Sequence, residues 1–144
     1  MNIRKTVSIV GLMLAFGAVL PVLRADESDQ ATRFTFSQPV QIPGRVLPAG
    51  TYLFEMVPNI NHELVRISSP DRNTVFALIQ AIPTYQSGSS GKAAIILAKQ
   101  EKSRPEAVVA WSYPGRLEGH QFLYPKQLQT ELAKDKRDTI VFGD

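Results

Sequence analysis

The chain contains no cysteine, a single tryptophan and only two histidines. The first absence removes disulfide staples, thiol nucleophiles, thiolate metal sites and the lipid-modified cysteine of a lipoprotein, so stability must come from a packed core. The second leaves one large ring to build around. The third restricts imidazole chemistry to His62 and His120. Blocks of like charge are missing too. The only crowding is Lys134, Lys136 and Arg137, which Asp135 and Asp138 offset, and it reads as the solvated end of a helix.

What is present begins with a targeting pattern. Arg4 and Lys5 precede an apolar run over residues 7–20, Pro21 stops it, and Ala25 with Leu23 two positions earlier forms a signal-peptidase site. The pattern predicts a signal peptide over 1–25, cleaved after Ala25. The competing reading is an uncleaved anchor, for which the run is shorter than the ~20 residues that cross a bilayer comfortably. Cleavage removes three of the 16 basic residues, Arg4, Lys5 and Arg24, and leaves 13 against 13 acidic ones. The basic pI of 9.3 therefore belongs to the targeting segment. It is no argument for nucleic acid, which needs a clustered basic face on the folded domain.

About 119 residues remain after residue 25, enough for one core of moderate size and no second domain. Residues 26–32 read as a flexible lead-in, with a β-rich domain over 33–144. Strands are expected at 33–37, 40–42, 45–47, 51–57, 64–68, 74–82, 93–98, 107–112 and 122–124. Pro43-Gly44 has the two central residues of a type II turn, "PNINHE" at 58–63 and "SPDRN" at 69–73 read as loop and turn, and "QSGSSGK" at 86–92 as a flexible connection. The run at 74–82 is the most apolar, and its β-branched and aromatic content predicts a strand buried on both faces, although periodicity alone does not distinguish it from a helix. One helix is expected over 125–136, with Pro125 at its first position and Leu128 and Leu132 as a thin apolar stripe. The stretch "DTIVFG" after it either adds an edge strand or frays. Short strands at regular spacing predict a mainly β fold: a single antiparallel β-sandwich or open barrel with one short C-terminal helix.

Chemical motifs are few. "GSSGK" at 88–92 lacks the spacing and the trailing Ser or Thr of a phosphate loop, and Gly88-Ser89-Ser90-Gly91 lacks that of a nucleophile elbow. Glu118 and His120, two apart in an extended segment, point to one side and are candidate metal ligands, with His62 and Glu63 as further ligands if the loops meet. Against them stands the absence of any H-E-x-x-H helix or its inverse. Val109, Trp111 and Tyr113 share a face by period two, as do His120, Phe122 and Tyr124. These rings close the core or, with Arg116, form an exposed sugar-binding platform; in a small disulfide-free domain core packing is the stronger reading. The echo of "IPGR" at 42–45 in "YPGR" at 113–116 reports shared turn chemistry, with Arg45 and Arg116 laid over apolar surface beside each turn.

"FTFSQPVQIPGRVLPAGTY", "AIPTY" and "PEAVVAWSYPGRLEGHQFLYPK" together resemble a group of small exported proteins of soil bacteria of the acidobacterial type. The resemblance spans nearly all of the chain after the signal segment. It implies export and a β-rich fold and carries no catalytic residue with it. "LPAGTY" also resembles the strand entry of prealbumin-like and other sandwich modules of exported proteins.

The expected function is a non-catalytic secreted or periplasmic β-domain with a binding or cell-envelope role. Two alternatives stand beside it: a small hydrolase or metal-dependent enzyme centred on Glu118 and His120, and a carbohydrate-binding module using Trp111, Tyr113 and Tyr124. The favoured reading expects no cofactor and no nucleic-acid partner. Its candidate partners are an envelope component, a glycan or another exported protein, with membrane contact confined to the signal segment.

Overall fold

The computed structural model describes residues 31–57, 63–85, 91–101, 103–113, 118–134 and 138–143. Residues 1–30, which include the expected signal segment, and His62, Ser89, Ser90 and residues 114–117 lie outside them. The elements are β1 (Ala31–Phe36), β2 (Val40–Ile42), β3 (Arg45–Leu47), β4 (Gly50–Met56), β5 (Leu64–Ser68), β6 (Val75–Tyr85), β7 (Ala94–Ala98), β8 (Glu106–Ser112), β9 (Glu118–Phe122), α1 (Lys126–Lys134) and β10 (Asp138–Phe142). The molecule is mainly β with one helix among the described residues, as the strand spacing predicts. Ala31 and Thr32, expected in the lead-in, already pair with Glu55 and Phe54 in β1.

One hydrogen-bonded path runs β1-β4-β5-β6-β9-β8. At β8 it forks, to β7 and then β10 on one side and to the β2–β3 hairpin on the other. Every pairing is antiparallel except β2 with β8, where Val40 and Gln41 lie parallel to Glu106 and Ala107. Pro43 and Gly44 turn β2 into β3, and Gly44 takes φ 85°, the left-handed value that the second central position of a type II turn demands.

β6 folds the path over on itself. Its first part pairs with β5 and its second, from Ala81 on, with β9, so one 11-residue strand serves two facing layers. This corrects the expectation that 74–82 is buried on both faces. Only Ile79 and Ala81 are buried, whereas Val75 and Leu78 are 52% and 58% exposed. An unbroken apolar run marks double burial in parallel sheets, where helices cover both faces; here only the inner face has a layer opposite it.

Phe54 of β4 stands at the centre of the core. Its ring lies 5.3 Å from Phe34 within its own layer, and 6.2 Å from Trp111 and 6.4 Å from Phe122 across the interior. All three contacts are edge-on, the arrangement aromatic quadrupoles favour, worth about 0.5–1.5 kcal/mol each beyond the area buried. Ile95 and Leu97 of β7 and Val65 and Ile67 of β5 fill the space around them.

Two bulges adjust the alternation. Between β7 and β8 the register passes from Leu97↔Val108 to Ile96↔Ala110, so Val109 is an extra residue. Val108 and Trp111, three apart, are therefore both fully buried, while Val109 is only partly so. The expected shared face of Val109, Trp111 and Tyr113 is corrected accordingly. The second bulge falls at Ile67/Ser68, next to the 69–73 turn. In that turn the Asp71 carboxylate accepts from Ser69 Oγ and from the backbone and side chain of Asn73, and Arg72 takes φ 62°.

α1 starts one residue later than expected. Pro125 precedes it and accepts the first helical hydrogen bond from Gln129 at 2.9 Å. Leu132 is buried and Leu128 packs beside it, so the thin apolar stripe is the side that docks.

Candidate functional site

The residues singled out in the sequence gather at one end of β8 and β9. Trp111 pairs directly with His120, their rings 5.5 Å apart, and Glu118 pairs with Tyr85 at the exposed limit of the sheet. Trp111 is 0% and Tyr124 7% exposed. The Tyr124 hydroxyl donates to Val108 O at 2.7 Å and lies 3.1 Å from Gln41 O, pinning the segment after β9 to the sheet, and burial raises its pKa above the ordinary phenol range. Both rings are held in the interior, where neither presents a face to a sugar. Tyr113 is half-buried, and Arg116 lies outside the described residues.

Glu63 stands apart from this group. Its carbonyl accepts from Ala81 N, which sets it beside the middle of β6, whereas His120 is in register with Pro83 further along the strand. His62 lies outside the described residues. Among those described, no three of His, Asp and Glu gather as metal ligands.

A feature that no sequence motif announced is the ion cluster on the outer side of β4. Glu55 is buried and lies opposite Arg66 in the β4–β5 ladder; Oε2 accepts from Arg66 at 3.0 and 3.2 Å, and Oε1 accepts from Arg72 Nε at 2.9 Å. The pairings satisfy the carboxylate and clamp the 69–73 turn over the strand. That accounts for Arg72 holding a left-handed backbone, which costs a non-glycine residue about 1–2 kcal/mol.

The other unannounced feature is a cleft of about 540 Å³ where the two ends of the curled path approach each other. Among the described residues β1 pairs only with β4, and β10 only with β7, and no ladder joins β1 to β10. At one end the two strands touch. Gly143 sits so close to β1 that a Cβ there would collide with Thr32 Cγ2 and come within 2.8 Å of Phe34 Cε1 and 2.9 Å of Arg33 O. At the other end, near Phe36 and Thr139, they separate and the cleft opens.

Its floor is apolar, built from Phe36, Val40, Leu97 and Val141. Its rim is polar: Thr35 and Ser37 from the end of β1 and the residues beyond it, Ser103, Arg104 and Glu106 from the turn into β8, and Thr139 from β10. Thr139 Oγ1 lies 3.1 Å from Glu106 Oε1 and donates to it. Arg104 has only a loose pairing, 3.8 Å from the exposed Glu131 carboxylate of α1, so its guanidinium stays half in solvent. The volume lies within the range for binding sites, although polar groups make up more of the exposed lining than is usual for them. The signal that could have found it is indirect. β1 and β10 are far apart in sequence, and a short "DTIVFG" after a helix says nothing of which strand it will face. Comparison with protein-family models, with curated proteins and with solved structures finds no match to this chain.

Proposed function

We propose that the protein is a non-catalytic binding domain, exported to the periplasm or cell exterior, whose ligand site is the cleft between β1 and β10. One observation carries the reading: two strand edges that no ladder joins bound an amphipathic cavity of about 540 Å³ with a polar rim and one loosely paired guanidinium. Export is supported by the charged start, the apolar run over 7–20 and the resemblance given above. Among the described residues no helix is long and apolar enough to cross a membrane.

Anilinonaphthalene sulfonate, an anionic amphiphile, is the direct probe. It is expected to bind the native domain at one site with enhanced fluorescence. Ser37→Trp and Ser103→Trp, at exposed rim positions, are expected to abolish that signal with an unchanged circular dichroism spectrum. Dye binding that both variants leave intact sinks the cleft as the site. Stoichiometric zinc or iron in the purified protein, lost on His120→Ala, overturns the non-catalytic reading.

A further inference from the structure

We infer that the ligand of the cleft is a short oligosaccharide built from sugar acids, an inference that rests on the cleft being the binding site. The polar side chains of its lining sort by what they can do. Arg104 only donates hydrogen bonds, the Glu106 carboxylate only accepts them, and Ser37, Gln38, Ser103 and Thr139 do both. Hydroxyl groups satisfy such a lining, because each can donate or accept according to the partner it meets. A mainly apolar ligand would strip water from the same groups and return nothing. Thr139 Oγ1 donates to Glu106 Oε1 at 3.1 Å, which fixes the carboxylate in the wall and leaves it capacity to accept ligand hydroxyls.

Arg104 supplies the selection by charge. Its guanidinium faces Glu131 at 3.8 Å, and both side chains are largely in solvent. A surface pair of that length is worth little, so a ligand carboxylate displaces Glu131 at small cost. A guanidinium meets a carboxylate through two parallel N–H donors, which makes an acid a stronger partner for it than a neutral hydroxyl. Arg104 and Glu106 flank Pro105 in the same wall, so the ligand presents its acid to the one and hydroxyls to the other. Phe36, Val40 and Leu97 are buried, and the floor therefore offers a narrow apolar strip and no open ring face. The C–H face of a sugar ring lies on such a strip, whereas a long aliphatic tail needs a wider one. The volume of about 540 Å³ exceeds what a single ring fills, which points to an oligomer.

The test titrates dimers of galacturonate, glucuronate and mannuronate into the folded domain by calorimetry, beside the matching neutral disaccharides, glutarate and glycylglycine. Expected are saturable binding of at least one uronate dimer, displacement of anilinonaphthalene sulfonate by it, and binding at least tenfold weaker for its neutral counterpart and for glutarate, which keeps the acid but lacks the hydroxyls. Arg104→Gln should weaken the uronate at least tenfold and leave the neutral sugar unchanged, and Arg104→Lys should recover only part of the loss. Glu131→Gln should tighten uronate binding by about two- to fivefold, because it removes the competing carboxylate. Ser103→Trp should abolish binding. If the dye binds and is blocked by Ser103→Trp while no uronate dimer competes, the sugar-acid inference falls and the cleft reading stands. If the neutral disaccharide binds as well as the uronate, or Arg104→Gln leaves uronate binding intact, the guanidinium selects no acid and the inference is overturned. Glutarate or glycylglycine binding more tightly than every uronate dimer would show that the charges alone choose the ligand, which overturns it again. If both dye and uronate ignore the rim variants, the cleft reading fails and this inference with it.

Discussion

Removing the Trp111 side chain takes away a ring that Phe54 meets edge-on and that stacks at a tilt on His120, at a site with no solvent contact. Trp111→Ala or Phe54→Ala is expected to cost about 3–5 kcal/mol, read as a lower denaturant midpoint. His120→Ala should cost ~1 kcal/mol, because the imidazole is half-buried and gives up its tilted contact with the indole. Equal losses for the two kinds of variant would show that the core is not centred on Phe54 and Trp111. At this scale the sequence was readable where a residue's size decides its place. Trp111, Phe122 and Tyr124 are interior, as large aromatics in a small cysteine-free domain must be. Val109 was not readable, because a bulge is an agreement between two strands and period-two counting on one strand cannot register it. Nor was Glu55 legible, since the partners that make its burial tolerable come from β5 and from the turn beyond it.

Among the elements, β6 and β10 differ most in how far their sequences disclose them. For β6, the β-branched and aromatic content of residues 74–82 favours a strand over a helix, and the strand is there, running on to Tyr85. Its exposure was hidden, because it depends on whether another layer covers the second face. Leu78 and Ile82 lie outward and Ile79 and Ala81 inward. Leu78→Thr and Ile82→Thr should therefore change stability by less than ~0.5 kcal/mol while lowering the tendency to aggregate, whereas Ile79→Ala should cost about 2–4 kcal/mol. Urea melts and light scattering on the three variants decide this; a large loss from Leu78→Thr would mean that its face is covered. For β10 the determining position is Gly143, whose missing Cβ lets the strand end reach β1. Backbone Arg33 O and the Phe34 ring are both in the way of any side chain. Gly143→Ala should push β10 off β1 and lower stability by about 1–3 kcal/mol, with faster hydrogen exchange at 139–142 as the local readout.

At the scale of the whole molecule, the charges of residues 26–144, the part that remains after the proposed cleavage, balance at 13 of each sign, so in that form net charge contributes little self-repulsion near neutrality and individual buried groups govern the response to pH. Tyrosine dominates the alkaline side. Burial raises the pKa of Tyr124 far above the ordinary phenol value; burial also raises that of Tyr52, whose hydroxyl donates to Pro48 O, with the Arg45 charge partly opposing the shift. A group whose folded pKa exceeds its unfolded value lends stability that is fully present below the unfolded pKa. For tyrosine that value is about 10. Above it the unfolded chain releases protons that the folded chain retains, so stability falls as pH rises, and it keeps falling until the folded groups ionise as well. The domain should accordingly show a flat stability profile between neutrality and about pH 9, then a decline from about pH 10 upward, with the phenolate absorbance of Tyr52 and Tyr124 appearing together with unfolding. Tyr124→Phe is expected to be less stable at neutral pH by about 1 kcal/mol, through loss of the hydrogen bond to Val108 O, yet to decline less steeply above pH 10. Parallel alkaline limbs for the two proteins would show that Tyr124 ionises as readily folded as unfolded, and hence that the segment joining β9 to α1 opens before the sandwich does.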